Sequence, residues 1–148
     1  MKDVEARAAR IGLVLAAWKA AHNYADHIGQ DSSDALDKGD PGWPGRMACA
    51  RHVTDMTLTK LAALAVAGAA TGIRLSPRRV AVAMAIDAAS HYVIDRRTPL
   101  RRLAKILGKT EFYELGDACA APCRTGAYAM DQAMRDLVLF LAALYAGG

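Results

Sequence analysis

The chain has 148 residues, of which 53% are hydrophobic and 23% charged, with a net charge of +4. That length fits one domain with a real core, and the composition excludes a disordered or very highly charged chain. Cys49, Cys119 and Cys123 are an odd count without a second CxxC-type pair, so neither a disulfide framework nor a zinc ribbon is indicated and a reducing cytoplasm is the simpler compartment.

Apolar residues recur at helical spacing almost throughout, and no β-branched alternation is sustained, which predicts an all-α chain. A first helix is expected from Val4 to Gly29. Acidic residues precede its apolar run and no small-residue cleavage site follows, unlike a secretory signal. The stretch DSSDALDKGDPGWPG favours turns and predicts a long connection pinned to the bundle by Trp43. Its glycines lack the spacing of a nucleotide-binding loop. A second helix should open near Pro44 and end at Gly72.

Ser76–Pro77 and Thr98–Pro99 are cap and first-turn pairs, the former for a third helix ending near Asp95, the latter for a short basic helix reaching Leu107. Residues 108–125 read as an irregular arm in which the CAAPC thiols are small buried side chains, and a last helix is expected from Gly126 to Tyr145. The expected fold is a single-domain bundle of four long helices plus a short basic one. No window offers the ~18 clean apolar residues of a membrane span. Lys60, Asp87 with His91, and Asp131 with Arg135 and Asp136 interrupt the runs that come closest.

The histidines carry the chemical signal. His22 is followed by Asp26, His52 by Asp55 and His91 by Asp95, while Asp87 extends the last stripe back by one turn. Residues three or four apart share a helix face, so each pair can converge on one point. Imidazole with carboxylate suits zinc, manganese or iron, and helices packed in a bundle bring such pairs together in the core. The competing explanation of any single pair is a His–Asp hydrogen bond or an Asp–Arg pair, for example Asp95 with Arg96 or Arg97. Tyr24, Tyr92 and Tyr128 lie near these motifs and read as half-buried tyrosines that need one partner.

The ordered pattern HNYADHIGQ, Lys38 in a loop ending GWPGR, ARHV, HYVID and GAYAMDQAM resembles the bacterial and phage family called domain of unknown function 3307, over roughly residues 10–140. Members are small helical proteins, often membrane-associated, and the family name carries no activity. The resemblance marks His22, Asp26, Gln30, Lys38, His52, His91, Asp95 and Asp131 as the functional set. Family members commonly place a histidine where this chain has Arg135, so the last helix here lacks that ligand.

These features point to a metal-dependent hydrolase acting on a phosphorylated or otherwise anionic substrate. His22, Asp26, His91 and Asp95 are the expected ligands of one or two divalent ions, with His52 or Asp131 as a further ligand or general base. Gln30 and Lys38 are expected to orient the substrate. Between Arg74 and Lys109 nine Arg or Lys residues face only Asp87 and Asp95, so Arg96, Arg97 and Arg101 are expected to attract its charge. The alternative is a non-enzymatic bacterial or phage binding protein that contacts nucleic acid, a membrane surface or a host protein through the basic helix TPLRRLAKILGK. In that case the His–Asp pairs only lock the core.

Overall fold

A computed structural model describes residues 2–116 and 125–148; Cys119 and Cys123 of CAAPC lie outside the described residues. Among the described residues the chain is all-α, with no strand. Four long helices are α1 (Lys2–Tyr24), α3 (Gly42–Thr71), α4 (Pro77–Asp95) and α7 (Gly126–Gly147), and three short ones are α2 (Ser32–Asp37), α5 (Thr98–Ile106) and α6 (Thr110–Tyr113). The expected count of one short helix is therefore corrected to three. The stretch expected as a plain connection holds α2, because Asp31 caps it by accepting from the Ser33 amide. The expected arm holds α6.

Other local expectations are also corrected. The first helix stops at Tyr24 and gives way to a π-helical turn over Ala25–Gly29. Trp43 is 70% exposed and pins nothing. Arg97, not Thr98, is the residue that precedes α5.

The four long helices share a core of Val14, Trp18, Leu64, Met84, Leu139 and Ala143. Arg10 Nε donates to the Gly147 carbonyl, so the start of α1 meets the end of α7. Along each long helix the inward stripe changes character. Val14 and Trp18 lead to His22 on α1, Leu64 to Lys60, Met56 and His52 on α3, and Met84 to Asp87, His91 and Asp95 on α4. On α7 the same stripe runs from Leu139 back to Arg135. One end of the bundle is thus packed with Val, Leu, Met and Ala, and the other end buries ionisable groups.

By length and composition α3 could cross a membrane: one window averages a mean hydropathy of 1.3 and is 22% buried. Lys60, expected to disqualify this run, is fully buried and donates to Asp87 at 2.6 Å, so its charge is hidden from the exposed side of the helix. Leu58, Leu61 and Val66 remain exposed on α3.

Candidate metal centre

Four backbone elements deliver the polar end of the bundle. The π-helical turn is wider than an α-turn and lies at the top of α1. It carries Asp26 inward, with a side chain 5% exposed, and leaves His27 on the surface. α3 supplies His52, the last turns of α4 supply His91 and Asp95, and α7 supplies Asp131, Gln132 and Arg135.

Asp26, His52 and His91 each place a ligand atom within 4.8 Å of the other two, close enough to hold a metal ion. His52 Nε2 lies 2.9 Å from Asp26 Oδ1 and 3.2 Å from His91 Nε2. His91 Nε2 lies 4.0 Å from Asp26 Oδ1. Asp95 Oδ2 joins them at 3.6 Å from His52 Nε2 and 3.3 Å from His91 Nε2. Ligands about 2 Å from a tetrahedral zinc stand about 3.3 Å from one another, which is the scale of these separations.

The outer faces of both carboxylates are tied down. Arg135 Nη1 donates to Asp26 Oδ2 at 2.6 Å, and Arg135 Nη2 donates to Asp95 Oδ1 and, at 3.0 Å, to Asp131 Oδ1. Gln132 Nε2 donates to Asp26 Oδ2 at 3.3 Å. The inner oxygens, Asp26 Oδ1 and Asp95 Oδ2, are buried without an aligned hydrogen bond. These are the oxygens that face the two imidazole Nε2 atoms. With Lys38 Nζ 3.7 Å from Asp26 Oδ1, the inner oxygens and the two ring nitrogens form one close cluster, near enough together either to pair with one another or to hold a metal ion.

The protonation states fit that cluster. Burial holds His22 and His91 below the ordinary imidazole range, His91 to about 4, so both rings are neutral near pH 7. Arg135 Nη1 donates to His91 Nε2 at 2.8 Å, so that nitrogen carries a lone pair and not a proton. Burial opposes ionisation of Asp26 and Asp95, but the surrounding histidines and the Arg135 and Lys38 charges outweigh it and hold both carboxyls well below the carboxylate range. Burial raises the Asp131 carboxyl.

The remaining expected residues are distributed as follows. His22 sits behind the cluster, 3.5 Å from Asp26 Oδ2, with neither ring nitrogen in an aligned hydrogen bond. Lys38 Nζ lies 3.2 Å from Asp95 Oδ1 and 3.7 Å from Asp26 Oδ1, and donates to Gln30 Oε1 at 3.3 Å. The His52–Asp55 pair does not form: Asp55 is exposed, and His52 turns to Asp26 and Asp95 instead. Asp87 leaves the stripe for Lys60. Asp95 pairs with Arg135 and Lys38 rather than with its neighbours Arg96 and Arg97. Arg96 donates to the Lys38 carbonyl at 2.8 Å and to the Asp40 carbonyl, fastening the Lys38 loop.

A cavity of about 690 Å³ opens over the cluster. Asp26, Asp95, Asp131 and Arg135 line it, together with Gln30, Lys38, Gln132, Arg97, Thr98, Arg101, His27 and Tyr128. His27 Nδ1 donates to the Asn23 carbonyl at 2.9 Å, so its Nε2 accepts from the Tyr128 hydroxyl at 2.7 Å. Arg135, His27 and Lys60 carry no functional expectation from the sequence. Arg135 had one signal, its i, i+4 relation to Asp131 on α7. Comparison with family models, with curated proteins and with solved structures returns no match for this chain.

Proposed function

We propose that this protein binds a divalent ion, zinc, manganese or iron, through Asp26, His52 and His91 with Asp95 beside them, and uses it to hydrolyse a small anionic substrate. The observation that carries this reading is the convergence of Asp26 Oδ1 and Asp95 Oδ2 on the Nε2 atoms of His52 and His91 in a buried site. Neutral imidazole and carboxylate are the donor set such ions take. When bound, the ion supplies Lewis acidity toward a phosphoryl or carbonyl oxygen.

The chain's own groups have separate tasks. Arg135 orients both carboxylates by gripping their outer oxygens, as hydrogen-bonded neighbours of metal ligands do. Lys38, tethered to Gln30, presents a positive charge where the cavity meets the cluster. Asp131, whose carboxyl is raised by burial, is placed to take up or release a proton at its carboxylate oxygens. The cavity volume suits a single small molecule.

One observation favours the second reading, a non-enzymatic binding protein. Arg135 already gives Asp26, Asp95 and Asp131 a cation and donates to the His91 lone pair that an ion needs. Elemental analysis of protein purified without a metal-affinity tag separates the two. About one equivalent of zinc, manganese or iron per chain, lost in His52→Ala, is the expected result. Metal-free protein that takes up none of the three ions, with a melt indifferent to chelator, overturns the metal reading in favour of a polar core locked by Arg135.

A further inference from the structure

The charged side chains that line the cavity come from two sets of elements. Asp26, Asp95 and Asp131 are joined with Arg135 and Lys38 in one ion-pair network, with one more carboxylate than cations. α5 and the residue before it contribute Arg97, Thr98, Leu100 and Arg101 to the lining. Among the described residues Arg101 has one loose acidic partner, Glu114 at 3.6 Å, and that pair is largely exposed. Arg97 has no acidic partner within 4 Å among the described residues, whereas its neighbour Arg96 is committed to two backbone carbonyls.

The backbone holds Arg97 in place by unusual means. Arg97 has φ 59° and ψ −46°, and it is the only non-glycine residue with positive φ among the described residues. Such a conformation is unfavourable for a side chain with a Cβ and persists where the surrounding structure requires it. Gly39 accommodates the side chain: a Cβ there would lie 2.5 Å from Arg97 Nε and 2.6 Å from its Cδ. The Arg97 side chain is therefore packed against the Lys38 loop, where it also lines the cavity.

We infer that Arg97, Arg101 and Thr98 form an anion subsite, apart from the His/Asp cluster, that holds a phosphate group of the substrate. This deepens the proposed function and rests on its assignment of the cavity as the substrate site. The substrate class that follows is a phosphorylated small molecule whose hydrolysable bond lies at the other end, over the cluster. Two guanidinium groups bind phosphate by charge-assisted and bidentate hydrogen bonds, and the hydroxyl adds a donor.

Inorganic phosphate is the probe, titrated at constant ionic strength against chloride, with binding read by phosphorus NMR line broadening and by thermal melts. Wild-type protein is expected to bind phosphate equally well with and without chelator. Arg97→Ser with Arg101→Ser is expected to weaken binding at least fivefold. Arg97→Gly relieves the positive φ, so it should melt at the same temperature or higher while still weakening phosphate binding, a combination that a purely structural arginine does not give. Undiminished binding in the double variant, binding that requires the metal, or no binding to wild-type protein each overturns the subsite. Phosphate bound through the two arginines in a protein that holds no metal leaves the subsite standing and removes the hydrolase reading.

Discussion

His91 touches every other member of the cluster, so its ionisation links the site to stability. Burial lowers its pKa to about 4 in the folded chain, against about 6.5 when unfolded. Between those values the unfolded chain takes up a proton that the folded chain refuses. The stabilisation is therefore complete above pH 6.5 and is lost as pH falls through 6.5 toward 4, on the order of 3 kcal/mol in all. His22 is shifted the same way by burial and adds to the fall. Asp26 and Asp95, shifted down, contribute above the ordinary carboxylate range and are lost only below about pH 4. Metal-free protein should show a urea midpoint that declines steadily from pH 7 to 4.5, and His91→Gln should flatten that decline. A wild-type midpoint that is level across this range contradicts a buried neutral His91. At neutral pH His91→Ala should be less stable than His91→Gln by about 1–3 kcal/mol, because Gln retains a group to meet Asp95. Both variants should lose metal.

Helix α3 shows how far periodic reasoning reaches at the scale of an element. The spacing of His52, Met56, Lys60 and Leu64 is regular, and these residues form the buried stripe. Spacing alone could not say that Asp55 faces outward while Asp26 and Asp95, distant in sequence, face His52. It also made Lys60 look like an interruption, because a lysine's partner across the bundle is not visible from its own helix. That partner is Asp87, one turn before His91 on α4. Burial lowers the Lys60 pKa while Asp87 opposes the shift. Breaking such a pair leaves an uncompensated buried charge, so Lys60→Met should destabilise by about 3–5 kcal/mol. The double variant Lys60→Met with Asp87→Leu should recover most or all of that loss in urea denaturation. Metal content should be unaffected in the double variant, because neither residue touches the Asp26–His52–His91 cluster. A double variant as unstable as the single one would show that the pair holds more than itself in place.

Across the whole molecule, the all-α class and the four long helices were legible in the sequence because they follow from local periodicity and punctuation. The π-helical turn, the ion pairs of Arg135 and the gathering of residues from several elements around one cavity were not, because each depends on contacts between elements. The same geometry makes ion binding a cross-link. An ion held by Asp26, His52 and His91 joins the π-helical turn after α1, the first half of α3 and the end of α4 at the polar end of the bundle, beyond the apolar core these helices share. Binding only the folded state at a free ion concentration of a hundred times Kd adds about 2.7 kcal/mol. For a chain of this size that raises Tm by roughly 5–10 °C. The protection should be uneven, since regions opened only by global unfolding gain the full amount while locally fraying segments gain little unless they contact the ion. Amide hydrogen exchange with and without zinc should therefore slow around residues 22–30, 48–56 and 87–95. The distant α3–α4 connection, residues 72–76, should exchange as before. Amides that exchange by local opening report the site: an ion held on the surface by scattered carboxylates or His27 would slow those beside its own ligands and leave locally opening amides within 48–56 and 87–95 unchanged, and that pattern would move the metal away from the bundle core.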